Sequence, residues 1–210
     1  MARDLTLRCS CGALRGVARG ISPDSGNHAV CYCDDCQSFA HFLGRPERVL
    51  DPQGGTEVFQ MSAAALALTM GREHLACVRL SPRGLCRWYA SCCNTPIGNT
   101  PGSGGIPFIG LIKGCVEPPG DDPTLEKSFG PIRGWVGRKF AHGERAAIPR
   151  GMPTLFVVMR FIRFALRWRL RGDQRRSLFF DPRSLTPSVT PRVLSLEERN
   201  ALRRAVSGAA

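Results

Sequence analysis

Seven of the ten cysteines stand in three short sets: Cys9-Ser10-Cys11, Cys31-Tyr32-Cys33-Asp34-Asp35-Cys36 and Cys92-Cys93. Cysteines that only pack a core are scattered. Metal ligands come in short-spaced sets, because one turn of backbone has to aim two thiolates at one ion. Zinc takes four ligands tetrahedrally with Zn–S bonds near ~2.3 Å, and C-x-C and C-x2-C spacings meet that geometry. Two other chemistries use clustered cysteines. A disulfide framework suits secreted chains too small to build a core, but Met1-Ala2-Arg3-Asp4 leads into no apolar signal segment and 210 residues suffice for a core. A redox C-x2-C at Cys33 and Cys36 leaves Cys9, Cys11, Cys92 and Cys93 without a role. Zinc is the reading that all seven share.

The elements that must position these thiols are short strands. Leu5 and Leu7 alternate before Cys9, Gly12 supplies a permissive backbone after Cys11, and Leu14 and Val17 continue beyond, so residues 4–20 predict a strand, a cysteine knuckle and a second strand. Ser22 to Asn27 is turn chemistry, Ala29-Val30 runs into the second cysteine set, and Gln37 to Phe42 predicts a short helix capping it. Residues 56–60 read as a strand after a turn at 51–55. Residues 74–80 and 85–90 read as a hairpin about Ser81-Pro82-Arg83-Gly84 that delivers the chain to Cys92-Cys93. The Gly, Pro, Asn and Thr of residues 94–107 predict a loop, 108–112 a strand, and 117–149 irregular chain. The expected class is mainly β, with short antiparallel strands carrying metal sites at their ends.

Charge is uneven. The chain carries +12 overall, of which residues 150–210 hold 13 Lys+Arg against 4 acids, and 26 of the basic residues are arginine, as a GC-rich coding bias also produces. Two units follow: a domain over 1–149 and a basic, partly helical extension over 150–210. In the extension Arg160, Arg163, Arg167 and Arg171 recur at helical spacing. Phe161, Ile162, Ala165, Leu166 and Trp168 fill most of the remaining surface, and Pro153 suits an early helical position. Ser195 followed by Glu197 and Glu198 opens a final short helix. The apolar run Gly151 to Met159 ends at Arg160, far short of the ~20 residues of a membrane span, and the expected compartment is the cytoplasm, where thiols stay reduced.

The set Cys9-Ser10-Cys11-Gly12, Cys31-Tyr32-Cys33-Asp34-Asp35-Cys36, Gly54-Gly55 and Cys93-Asn94-Thr95-Pro96-Ile97, with Gly120-Asp121-Asp122-Pro123 and Trp135 further on, resembles the glutathione-dependent formaldehyde-activating enzyme family, which includes centromere protein V. The resemblance covers roughly residues 5–140. It implies a small zinc-bound β-tent and two zinc ions. Cys9 and Cys11 with the Cys93 region would form a closed site, and Cys31, Cys33 and Cys36 a site with an open fourth position. One departure stands out. Where the family has C-x2-C, Ala90 occupies the first position, Cys92 adjoins Cys93, and Asn94 replaces glycine. Adjacent cysteines both ligate only on a turned backbone, so the closed site is Cys9, Cys11, Cys92 and Cys93, or three cysteines and another ligand.

By resemblance the chemistry is a carbon–sulfur lyase reaction on the adduct of a glutathione-like thiol and a small aldehyde, with no catalytic side chain specified. His41 lies five residues past Cys36 and is a proton donor, a fourth ligand or, more often for such a histidine, a packing residue. Arg87 or Lys113 would face the thiol's carboxylates. His28, His74 and His142 carry no positional signal, and Cys77, Cys86 and Cys115 read as core thiols. The alternative function is a non-catalytic, zinc-stabilised binding module whose basic helix meets nucleic acid, a membrane surface or an acidic partner.

Overall fold

The structure is a computed structural model that describes residues 1–144, 147–149, 151–152 and 154–208. Its strands are β1 (Arg3–Arg8), β2 (Arg15–Ile21), β3 (Asn27–Cys31), β4 (Thr56–Ser62), β5 (Leu66–Met70), β6 (Leu75–Arg79), β7 (Cys86–Ala90), β8 (Thr95–Thr100), β9 (Phe108–Ile112), β10 (Gly134–Val136) and β11 (Arg192–Val193). The helices are α1 (Asp34–Phe42), α2 (Pro46–Val49), α3 (Glu126–Phe129), α4 (Thr154–Leu170) and α5 (Leu196–Gly208). The fold is thus mainly β with helices gathered towards the C-terminus. No helix among the described residues is long and apolar enough to cross a membrane. Pro153 lies outside the described residues.

Strands β1-β2-β5 form a three-stranded sheet, and β10-β3-β4-β9-β8-β7-β6-β11 an eight-stranded one. Pairing is antiparallel except at the two edges of the larger sheet, where β10 runs parallel to β3 and β11 parallel to β6. The main core lies where Leu5, Leu7, Ile21, Phe59, Met61, Trp88, Ile109 and Leu111 meet, all almost fully buried. Trp88 donates its indole N–H to Thr100 Oγ1 at 2.9 Å, which satisfies the one polar atom of the largest buried side chain.

Residues 94–107 are not wholly a loop, because β8 occupies their first half and lies inside the sheet. The breaker-rich run Thr95-Pro96-Ile97-Gly98-Asn99-Thr100 is tolerated there for two local reasons. Pro96 is paired to Tyr89 at a bulge in the β7 register, while β9 pairs only with Gly98 and Asn99, so the ladder asks nothing of the proline on that side. Gly98 is pressed against the next strand, where an added Cβ would stand 2.8 Å from the Gly110 carbonyl oxygen. Residues 117–149 also hold more order than their composition predicts, namely α3 and β10.

The C-terminal elements pack on this frame. Phe179 and Phe180 close over Trp88 with ring centroids at 4.9 and 6.2 Å. Leu194 and Leu202 join Phe39, Leu43, Val78 and Leu80 in a second cluster between α1, α5 and the sheet edge. Helix α4 lays Phe161 against Phe108 at 5.1 Å and buries Phe164 and Trp168.

Candidate metal centres

The knuckle after β1 turns because Gly12 takes φ +77°, and the Gly12 N–H donates to the Cys9 carbonyl at 2.9 Å. On the far side of the chain Ser91 to Asn94 is a turn, in which the Cys93 N–H donates to the Ala90 carbonyl at 3.3 Å and Asn94 takes φ +54°. Asparagine tolerates that left-handed conformation better than most residues. The turned backbone brings both adjacent thiols to the knuckle. The Cys9, Cys11, Cys92 and Cys93 Sγ atoms all lie within 4.8 Å of one another. The individual separations are 3.5 Å for Cys9–Cys11, 3.7 Å for Cys9–Cys92, 3.4 Å for Cys11–Cys92 and 3.8 Å for Cys92–Cys93. With metal–sulfur bonds of ~2.3 Å the corners of a tetrahedron stand about 3.8 Å apart. Four thiols at these spacings therefore fit one tetrahedral ion. Ser10 and Thr95 complete the surroundings: Thr95 Oγ1 accepts from the Ser10 N–H at 2.9 Å and lies 3.2 Å from Cys93 Sγ. Burial opposes ionisation of Cys93, but hydrogen bonds to Ser10 and Thr95 outweigh it and hold the thiol down to about 5.

The second set stands where β3 runs into α1. Helix α1 starts immediately after Cys33 because Asp34 and Asp35 complement the positive end of the first turn. Its inner face carries Cys36, Phe39 and Ala40. The Sγ atoms of Cys31, Cys33 and Cys36 lie within 4.8 Å of one another, with Cys31 and Cys33 at 3.3 Å. No further His, Cys, Asp or Glu joins this group among the described residues. Cys31 and Cys33 are half-buried and Cys36 is buried.

Three supports hold it. Gln37 Nε2 donates to the Tyr32 carbonyl at 2.7 Å and the Phe140 carbonyl at 3.0 Å, bridging the cysteine loop to the segment after β10. Gly55 carries no side chain because a Cβ there would stand 2.4 Å from Asp51 Oδ2 and 2.7 Å from the Tyr32 ring, while Tyr32 Oη donates to that same Oδ2 at 3.0 Å. Arg87, 1% exposed, brings its guanidinium within 3.8 Å of Cys36 Sγ, 3.3 Å of Asn99 Oδ1 and 3.6 Å of Asp35 Oδ2, over the face of Phe39. Hydrogen bonds from Cys31 and Cys33, aided by Arg87 and opposed by burial, hold Cys36 well below the ordinary thiol value. Hydrogen bonds to Cys33 and Cys36, together with burial, drive Cys31 far up. A cation held among the three would favour the ionised form of all of them.

All seven expected cysteines are thereby brought into two groups, and Cys77, Cys86 and Cys115 are buried core thiols outside them. His41 does not join the trio. It lines a separate cleft with Asp51 and His142, and burial, then the neighbouring His142, lowers its pKa. Arg87 is a buried support of Cys36 rather than a cleft wall. Lys113 pairs with Glu57 at 2.8 Å and lines a cleft of about 510 Å³ together with Ser10, Arg45, Arg48, Asp51 and Thr95. This cleft borders the four-thiol group through Ser10 and Thr95, and Asp51 in its wall accepts from Tyr32 Oη, the residue between Cys31 and Cys33. Sequence reasoning missed Gln37, Asp51, Arg45 and Arg48. The Gly54-Gly55 pair was the one signal that chain must pass close by the second cysteine set.

A sequence profile described as a family of unknown function, DUF6151, matches residues 1–184. The chain belongs to this family. The DUF6151 match includes all seven clustered cysteines, Arg87 and helix α4. No curated protein matches the chain significantly. Among solved structures, a crystal structure of a Rhodobacter sphaeroides protein is similar at 17% identity over 62% of this chain and 99% of that one, with a TM-score of 0.41.

Proposed function

We propose that this DUF6151 chain is a cytoplasmic protein holding two zinc ions, one closed and structural, one open and reactive, and that it is kin to the formaldehyde-activating enzymes. The observation that carries the reading is the contrast between the two groups. One has four thiols at tetrahedral spacing, the other three with no fourth His, Cys, Asp or Glu beside them among the described residues. Zinc, when bound by Cys31, Cys33 and Cys36, would lower the pKa of a thiol at its free position.

The rest falls to the chain's own residues. Arg87 keeps a cation against buried Cys36. Arg45, Arg48 and Lys113 offer positive charge to the carboxylates of a small peptide thiol, while Asp51 and Glu57 keep the cleft from being uniformly cationic. The reaction is an addition: the thiol S–H adds across the aldehyde C=O, the S–C bond forms, the proton ends on oxygen, and nothing is oxidised. The reverse direction is the carbon–sulfur lyase step.

Elemental analysis of the purified chain beside Cys33→Ser tests the foundation, with about two zinc ions per chain expected to fall to about one. A glutathione-dependent aldehyde-consumption assay on zinc-loaded protein then tests the chemistry. A silent assay with two zincs present leaves the second reading, a zinc-stabilised binding module. One observation favours that reading: α4 is basic, free of acidic residues, and carries an exposed apolar face.

A further inference from the structure

Helix α4 has two apolar faces, and the fold uses one. Val157 lies over Gly134, Phe161 meets Phe108, and Phe164 and Trp168 are buried. On the opposite side Leu155, Met159, Ile162, Leu166 and Leu170 follow at intervals of four, three, four and four residues, which places them in one stripe. Their exposures are 72, 57, 43, 59 and 87%. A stripe over this length of helix runs about 20 Å, and a soluble monomer seldom leaves so long an apolar row in water.

The arginines divide accordingly. Arg160 is drawn inward, its Nε donating to Asn27 Oδ1 at 2.7 Å and its Nη2 to the Pro23 carbonyl at 3.0 Å. Arg171 pairs with Asp173 at 3.0 Å. Trp168 is buried against the fold and takes no part in the stripe. Arg163, Arg167 and Arg169 remain exposed beside the stripe and make no ion pair among the described residues. The helix contains no Asp or Glu. Along its flank, Arg19, Arg167 and Arg171 line a cavity of about 430 Å³ with Ser22, Asp24 and Trp168.

Charge decides what covers the stripe. A second copy would set these arginines against their own kind, with no acid on either helix to relieve them. Nucleic acid would engage the arginines and leave the apolar row in water. An anionic lipid surface meets both, because the row enters the headgroup–acyl boundary and the arginines reach phosphates. We propose that α4 lies in the plane of an anionic bilayer surface with Leu155, Met159, Ile162, Leu166 and Leu170 inserted and Arg163, Arg167 and Arg169 on the lipid phosphates.

The test is sedimentation of the full chain with phosphatidylcholine vesicles and with phosphatidylcholine vesicles containing one-third phosphatidylglycerol. The anionic vesicles should capture at least about tenfold more protein, with capture falling as salt rises. Replacing Leu155, Met159, Ile162 and Leu166 together by Gln should lower capture about a hundredfold. The melting temperature of that variant should hold, since the four side chains are exposed. Arg163→Gln, Arg167→Gln and Arg169→Gln together should abolish the anionic preference, and this second variant decides the matter if the first one misfolds. No capture of the wild type, or capture unchanged by both variants, overturns the proposal. A wild-type dimer that dissociates in the glutamine variant, without vesicle binding, assigns the stripe to a second copy. Binding of duplex DNA by a chain that ignores vesicles assigns the arginines to nucleic acid.

Discussion

Arg87 shows how much one buried charge does at the three-thiol group. Its guanidinium has three polar neighbours and an aromatic face, and the nearest sulfur is that of the fully enclosed cysteine. Arg87→Met takes the counter-charge from Cys36 and should weaken metal at the trio by about 10- to 100-fold, as loss of a supporting partner around metal ligands does. Competition with a chromophoric chelator reads this directly, with one tight ion left at the Cys9, Cys11, Cys92 and Cys93 group. Arg87→Lys should recover part of the loss, since charge is kept while the fork and the stacking on Phe39 are not. A variant that releases both ions in parallel would mean that Arg87 acts on the whole fold. That the seven thiols form sets was legible from spacing, and Cys92 gained its place beside Cys9 and Cys11 from a turn at Asn94 that spacing leaves open. Arg87 was not legible in its role, because a strand arginine gives no local sign of being buried.

At the scale of elements, two short devices carry expected outcomes. Before α5 the Ser195 Oγ accepts from the Glu198 N–H at 3.1 Å, and Glu198 Oε2 accepts from the Ser195 N–H at 2.8 Å, a reciprocal cap. Ser195→Ala should cost about 1 kcal/mol by chemical denaturation. Before α3 the buried Asp122 accepts from the Lys127 and Ser128 N–H groups and from Ser128 Oγ. Burial opposes its ionisation, but these donors outweigh it and keep the carboxyl below the ordinary 3.8. A folded pKa below the unfolded one means stability that is present above 3.8 and is lost as pH falls through the folded value. Asp122→Asn should therefore be less stable than wild type at pH 7, and the gap should close on acidification below 3.8, followed as paired melting temperatures. The cap at Ser195 was readable because it is local. Strand β8 was not, since Pro96 and Gly98 read as breakers until their neighbours β7 and β9 show which backbone groups need partners.

Across the whole molecule, the four-thiol group brings the knuckle after β1, in the three-stranded sheet, against the turn between β7 and β8 of the eight-stranded sheet. Stripping metal with a strong chelator should lower the melting temperature by on the order of 10 °C. Cys11→Ser should do the same without chelator, whereas Cys33→Ser should lower it less, because the trio links one loop to itself. The C-terminal segment packs into the main core, where Phe179 is buried against Trp88. Phe179→Ala should cost about 3–5 kcal/mol. Near-zero loss would show that this segment is only draped on the sheet.

Short-range chemistry was the sequence's to determine. Thiol spacing marks candidate ligand sets, turn residues mark knuckles, and alternation marks strands, because each depends on neighbours a few bonds away. The mainly β class with C-terminal helices followed from those signals. Tertiary structure alone decided that Cys92 stands beside Cys93 in the four-thiol group, that Arg87 faces Cys36, and which face of α4 is turned outward. Those outcomes depend on side chains brought together from tens of residues apart, and helical periodicity by itself cannot tell an apolar stripe that packs from one left in water.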